Sequence, residues 1–331
     1  MIDQTQLPDH FAYVEFKNYR HVAAAIKSMV VRGAPAIGAA AAMGIALAAN
    51  ASRTKPRERF LHELEIAADV LRSSRPTAWN LFWAIDRMMR KARETEGSGR
   101  EIALAVVEEA QRIAEEDIEA NHRIGEFGAT LISDGDQILT HCNTGTLATV
   151  SYGTALAPIR TAISQGKKVI VIADETRPRL QGAKLTTYEL LRDGIPVTLI
   201  VDGAAGYVMK MGMVQKVIVG ADRITRKYVA NKVGTYMVAL AAKANNVPFY
   251  VAAPSSTFDF GNESGDVKIE ERDQAEVTHI AGKRITPRGV PVFNPAFDLT
   301  PLELVEGFIT ERGVIAPTSW ETVKSLQAQT G

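Results

Sequence analysis

The chain has 331 residues, of which 38 are basic and 38 acidic, so its formal net charge is zero. That balance gives no basic excess for a nucleic-acid surface, and 46% hydrophobic residues supply material for a sizeable core, in two domains or one large domain with an extension. The single cysteine, Cys142, excludes an intramolecular disulfide and points to a reducing, cytoplasmic setting.

The N-terminus, Met1 to His10, lacks the charged-then-apolar pattern of a signal peptide. Ala34 to Ala49 is the most apolar stretch, but it falls short of the ~20 residues of a membrane span, so a buried helix and no membrane association are expected. The first third reads as helices: Ala36–Asn50 of small apolar residues, amphipathic Glu58–Leu71, Thr77–Glu94 behind Pro76, and a long charged helix within Glu101–Ile132. Gly97-Ser98-Gly99 marks the turn between the last two.

The pattern changes near Asp134-Gly135-Asp136. Short apolar runs follow at Gln137–Thr140, Lys168–Ala173, Val197–Val201, Lys216–Gly220 and Phe249–Ala252. Helix-length segments alternate with them: Thr146–Gln165, Lys184–Arg192, Ala204–Met211 and Gly234–Asn245. Such alternation predicts βαβ units and a mostly parallel sheet buried on both faces. The expected fold is α/β: a helical N-terminal domain, residues 1–120, then a Rossmann-like catalytic domain, residues 121–331.

Ligands of open parallel sheets bind beyond the carboxyl ends of the strands. Those ends read His141-Cys142-Asn143-Thr144-Gly145, Asp174-Glu175-Thr176-Arg177-Pro178, Asp202-Gly203, Ala221-Asp222-Arg223 and Pro254-Ser255-Ser256-Thr257. Cys142 precedes a predicted helix start at about Thr146, which would lower its thiol pKa. An inert buried cysteine fits the position equally well. Asp222, judged by position alone, reads first as a cap or as a partner of Arg223. In the helical third, Arg32-Gly33-Ala34-Pro35-Ala36-Ile37-Gly38 and Ser74-Arg75-Pro76-Thr77 each place an arginine before a helix start. That arrangement suits a phosphate, although a tight packing turn explains either motif as well.

No Gly-rich dinucleotide or phosphate-binding loop follows a strand. The histidines, His10, His21, His62, His122, His141 and His279, show no metal-ligand spacing. No cofactor and no metal are therefore expected. Ser255 and Ser256 lack the context of a nucleophile elbow. Met209, Met211 and Met213 read as packing, and Trp79 and Trp83 as core, with one of the two lining an apolar pocket as the alternative.

Taken together, RGAPAIG at 32–38, SRPT at 74–77, HCNTG at 141–145, ADETRP at 173–178, LQGAKLT at 180–186, GADRI at 220–224, ANKVGTY at 230–236 and IEERD at 269–273 closely resemble the methylthioribose-1-phosphate isomerase family, as does the tail from Gly289 to Pro317. The wider family also holds ribose-1,5-bisphosphate isomerase and regulatory subunits of a translation initiation factor. The resemblance covers nearly the whole chain. It implies a homodimer that converts 5-methylthio-α-D-ribose 1-phosphate to 5-methylthio-D-ribulose 1-phosphate in methionine salvage. It implies Cys142 and Asp222 as the catalytic pair, with Arg32, Gly33, Ala34, Arg75, Gln181, Asn231 and Lys232 binding the sugar phosphate. The segment between Asp222 and Asn231 is one residue shorter than the family's usual loop and lacks its Asn-Gly turn, which leaves Asn231 and Lys232 less firmly placed than Asp222. The alternatives are an isomerase of 5-deoxyribose 1-phosphate or ribose 1,5-bisphosphate, or a non-catalytic regulatory subunit that senses a sugar phosphate or nucleotide.

Overall fold

The structure, a computed structural model, describes residues 1–316 and 320–324; Pro317, the last residue of the tail motif, lies outside them. The first third is a helical bundle: α1 (Tyr19–Lys27), α2 (Ala34–Ser52), α3 (Arg57–Arg72), α4 (Trp79–Glu94) and α5 (Gly99–Ala129). α2 is long and apolar enough to cross a membrane, but it is mostly buried inside the bundle. Its alanines and glycines let α1, α3, α4 and α5 all pack against it. α4 begins two residues later than expected, so Pro76 sits in the turn before the helix. α5 opens on a capping box in which the Glu101 carboxylate accepts the Ser98 N–H at 2.7 Å.

At 31 residues, α5 is about 46 Å long. Its first half packs on α2 and α4, and its second half on the sheet domain. The bundle core ends at Ile113 and the next core begins at Ile124. The expected division between residues 120 and 121 falls between them, and we propose that the domains meet along this helix.

The second part alternates as follows: β1 (Gln137–Thr140), α6 (Leu156–Ser164), β2 (Ile170–Asp174), α7 (Thr187–Arg192), β3 (Val197–Ile200), α8 (Ala205–Lys210), β4 (Lys216–Val219), β5 (Arg223–Ile224), β6 (Tyr228–Lys232), α9 (Thr235–Ala244) and β7 (Phe249–Ala252). There follow α10 (Ala275–Thr278), a small hairpin of β8 (His279–Ile280) and β9 (Lys283–Arg284), β10 (Phe297–Pro301), β11 (Gly307–Thr310), β12 (Gly313–Ile315) and α11 (Trp320–Lys324). The main sheet has the order β12-β11-β7-β4-β1-β2-β3 and is parallel except for β12 at one edge. The interior strands are apolar because both faces are covered by separate cores.

Three features depart from the sequence expectations. Thr146–Gln165 is not one helix: a single 3₁₀ turn at Thr146–Ala148 and an irregular stretch precede α6. β11 and β12 extend the sheet beyond the five expected strands. β5, β6 and β10 form a separate antiparallel sheet that pairs Asn231 with Asp298 and Lys232 with Phe297. That register fixes both residues despite the short loop. Of the three methionines read as packing, only Met209 is buried; Met211 and Met213 are exposed.

Candidate active site

Strand order reverses between β1 and its neighbour β4, since the chain runs from β1 outward to β2 and β3 and then returns to β4 on the other side. This is the switch point at which an open α/β sheet leaves a crevice. Cys142 follows β1 and Asp222 follows β4, so the two candidates flank that crevice. One cavity there is lined by all nine residues singled out in the sequence: Cys142, Asp222, Arg32, Gly33, Ala34, Arg75, Gln181, Asn231 and Lys232. The helical part supplies Arg32 to Ala34 and Arg75, and the antiparallel sheet supplies Asn231 and Lys232. The cavity therefore requires both parts of the chain.

Cys142 is buried, with its backbone in the left-handed region at φ 64°. Its N–H donates to Thr176 Oγ1 at 2.8 Å, and its carbonyl accepts from Thr186 Oγ1 at 2.6 Å. The expected lowering of the thiol pKa is corrected. Burial pushes the thiol up, against the pull of Arg32 and Lys232. No full helix starts here to supply a dipole, and desolvation disfavours the thiolate. Asp222 is part-buried, and its carboxyl has no hydrogen bond or ion pair among the described residues. Arg223 pairs with Asp259 instead, which removes the structural reading of Asp222. Burial raises the Asp222 carboxyl pKa, while Lys232, Arg75 and Arg32 draw it back.

The cations are held by oxygen acceptors around the cavity. Arg32 donates to Asn143 Oδ1 and to the Asn143 carbonyl at 3.0 and 2.8 Å. Asn143 is itself fixed by donating to Glu189 at 2.9 Å. Arg75 donates from one terminal nitrogen to Glu270 at 3.1 Å, and its buried Nε has no partner among the described residues. Lys232 donates to the Ala296 carbonyl at 2.7 Å and lies 4.8 Å from the Phe297 ring centre. Burial lowers the pKa of both Arg32 and Lys232. Gln181 is buried with its Oε1 unpartnered, and Asn231 donates to Thr235 Oγ1 at 3.1 Å. The cavity therefore combines several cations, spare polar atoms and one carboxyl without a partner among the described residues.

The sequence reading missed Asn143, Arg179, Arg272 and Phe297, which also line the cavity. HCNTG, ADETRP and IEERD pointed to their neighbourhoods, but only the tertiary fold aims these side chains inward. Trp83 packs against the bundle core while part-buried, and both Trp79 and Trp83 line a wide groove beside the cavity, where Trp79 Nε1 donates to the Ser256 carbonyl at 2.9 Å. One grouping with metal-ligand chemistry, His141, Asp174 and Asp202, does exist, with ligand atoms within 4.8 Å of one another. Both ring nitrogens of His141 face oxygen atoms, at 2.6 Å from Asp174 Oδ2 and 2.9 Å from the Val233 carbonyl.

These features define a Rossmann-type α/β protein with a cation-rich cavity at its switch point. The chain belongs to the initiation factor 2 subunit family, whose sequence profile matches residues 30–317. It is 54% identical over 331 residues to a methylthioribose-1-phosphate isomerase of Thermosipho africanus, covering 98% of this chain and 94% of the relative. It is also 54% identical to the protein of that name from Acetivibrio thermocellus, covering 99% and 96%. Among solved structures, 5-methylthioribose 1-phosphate isomerase from Pyrococcus horikoshii superposes with a TM-score of 0.91 at 47% identity, covering 99% and 92%. A structure from A. fulgidus described as the delta subunit of translation initiation factor eIF-2B has a TM-score of 0.87 at 51% identity, covering 99% and 96%.

Proposed function

We propose that this chain is an aldose–ketose isomerase that converts 5-methylthio-α-D-ribose 1-phosphate to 5-methylthio-D-ribulose 1-phosphate, within methionine salvage and in the cytoplasm. The observation that carries this reading is the placement of Cys142 and Asp222 on neighbouring strands at the switch point, in one cavity with Arg32, Arg75 and Lys232. Near-full-length identity to isomerases of that name supports it. The initiation-factor name of the A. fulgidus structure suggests a sensing subunit instead. A sensor would need the cations but not a desolvated carboxyl without a partner beside a thiol.

The substrate is a ring locked by phosphate at C1, so the ring must open with the phosphate attached. Asp222, kept protonated by burial, gives its proton to the ring oxygen. The bond from C1 to that oxygen breaks, and its electron pair goes to the oxygen. Hydride then moves from C2 to C1, and the C2 hydroxyl proton passes to the Asp222 carboxylate, which leaves the ketone and restores the acid. The upward-shifted thiol makes proton abstraction by a Cys142 thiolate the harder route and favours hydride transfer, with Cys142 stabilising the charge that develops at the reacting carbons. Arg32, Arg75 and Lys232 neutralise the phosphate, Gln181 and Asn231 hold hydroxyls, and Gly33 and Ala34 bring the α2 backbone against the sugar. No cofactor enters this chemistry.

Cys142→Ala and Asp222→Asn are each expected to lose on the order of 10²–10⁴-fold in turnover while still binding substrate. Wild-type turnover in either variant refutes the assignment. Substrate deuterated at C2 should carry its label to C1 in ordinary water; washout shows a proton route. Parallel assays with 5-deoxyribose 1-phosphate and ribose 1,5-bisphosphate test the substrate choice. The edge strand β3 with α8 and α9 exposes Leu199, Val201, Tyr207, Met211 and Met237, an apolar face suited to a second copy of the chain. A homodimer is expected in sedimentation, and Met237→Glu should weaken it.

A further inference from the structure

Beside the cavity lies a buried ion pair that the proposed reaction does not use. The Nδ1 of His141 is 2.6 Å from Asp174 Oδ2, and its Nε2 is 2.9 Å from the Val233 carbonyl. With Asp174 as a carboxylate both partners are acceptors, and both contacts are then attractive when each ring nitrogen carries a proton. The second Asp174 oxygen accepts from Thr176 Oγ1 at 2.7 Å. Thr176 Oγ1 in turn accepts the Cys142 N–H. An unbroken relay thus runs from the imidazole to the Cys142 amide through one carboxylate and one hydroxyl. It also ties together the ends of β1, β2 and β6, because Val233 follows Lys232.

Two observations show that this relay holds something that would otherwise move. Cys142 and Thr176 both have positive φ, 64° and 61°. A left-handed backbone costs a non-glycine residue roughly 1–2 kcal/mol, and it persists only where the surroundings impose it. Space around the imidazole is also filled: a Cβ on Gly234 would lie 2.7 Å from His141 Cε1. The charged groups facing the ring are Asp174 from β2, Asp202 from the segment after β3, and Asp298 from β10, which also feels Lys232. Carboxylates outnumber cations around it. Burial alone would discharge the ring, but Asp174 prevails and its pKa is raised.

We propose that His141 and Thr176 are positioning residues for Cys142: the His141–Asp174–Thr176 relay fixes the strained backbone that presents the thiol to the cavity. This rests on the reading of Cys142 as a catalytic group, and the test keeps the two apart. Thr176→Val removes the hydroxyl and preserves the shape, whereas Thr176→Ser retains the hydroxyl. The valine variant should lose on the order of 10²-fold in kcat, the scale of a misplaced reacting group, with KM nearly unchanged. The pH profile of iodoacetamide alkylation should shift in the valine variant. It reads Cys142 alone because the chain has no other cysteine. The serine variant should restore both readouts.

Nitrogen-15 spectra of histidine-labelled wild-type protein should show one imidazolium with both nitrogens protonated at pH 7.5, and that signal should be lost in His141→Gln. A neutral His141, or valine and serine variants that behave alike, overturns the relay. Full turnover in Cys142→Ala overturns the catalytic reading instead, while the alkylation profile still reports on the relay.

Discussion

Asp117 on α5 offers a test that reaches from the helical bundle to the rim of the cavity. Its carboxylate accepts the Val150 N–H at 2.7 Å and Asn121 Nδ2 at 3.0 Å, so it pins the loop that carries Thr149 and Thr154, both cavity-lining residues. Burial raises its pKa from 3.8 to about 6, more than the two hydrogen bonds lower it. A shift of about two units corresponds to ~3 kcal/mol, and because the residue is part-buried that figure is a ceiling. The unfolded carboxyl loses its proton first. Stability from this group is therefore fully present below about pH 4 and is lost as pH rises through about 6. Asparagine keeps an oxygen for the Val150 N–H and does not titrate. Urea unfolding of the wild type and Asp117→Asn should be compared from pH 4.5 to pH 8. The variant should gain up to ~2 kcal/mol on the wild type across that range, because only about 1.5 of the two units lie above pH 4.5, whatever its constant offset from packing. A difference that stays flat with pH would show that the carboxyl is not desolvated as described.

Other outcomes follow from the same geometry. Gly33 caps α2 at φ 95°, and a Cβ there would fall 2.4 Å from Ala148 Cα, so Gly33→Ala should force α2 away from the cavity and raise KM, with roughly 1–3 kcal/mol lost to backbone strain alone in thermal or urea unfolding. If Asp222 is the general acid, kcat should fall as pH rises through its raised pKa, and Asp222→Asn should flatten that limb of the pH–rate profile. Burial opposes ionisation of Glu276, but hydrogen bonds from Arg272 and Arg179 win and lower its pKa to about 2. Its stabilisation is present above about pH 4.5 and is lost as pH falls through about 2. Glu276→Gln should therefore cost roughly 1–3 kcal/mol at pH 7, measured by urea unfolding, and progressively less in acid.

The elements most legible in the sequence were those whose burial leaves a one-dimensional signature. Strands such as β1 and β7 are apolar runs bounded by turn residues, and the structure places them at Gln137–Thr140 and Phe249–Ala252 as read. The stretch after Cys142 was illegible for a physical reason. Thr146 to Gln165 has helix-compatible composition, but Glu189 takes the Thr146 and Leu147 N–H groups at 2.7 and 3.1 Å, and the chain then turns through Tyr152 and Gly153 at positive φ. A residue forty positions downstream decides that conformation. β11 and β12 escaped notice because these strands of four and three residues have little periodicity of their own, and β11 is specified by pairing with β7.

The candidate site divides along the same line. Motifs placed all nine candidates near one cavity, since each lies at a strand end or a helix start, where backbone groups and ligands meet. The electrostatic character of Cys142 did not follow from its position. The sequence argument assumed a helix dipole, and the structure substitutes a strained turn, complete desolvation and two nearby cations that fail to reverse the shift. This changes the chemistry assigned to the thiol. A cysteine activated by a dipole would be a base before substrate arrives. A thiol that burial pushes up, between two cations that pull the other way, supports the hydride route we propose over abstraction of a proton. Burial also raises the Asp222 carboxyl pKa, so one property of the cavity acts on both residues in the same direction.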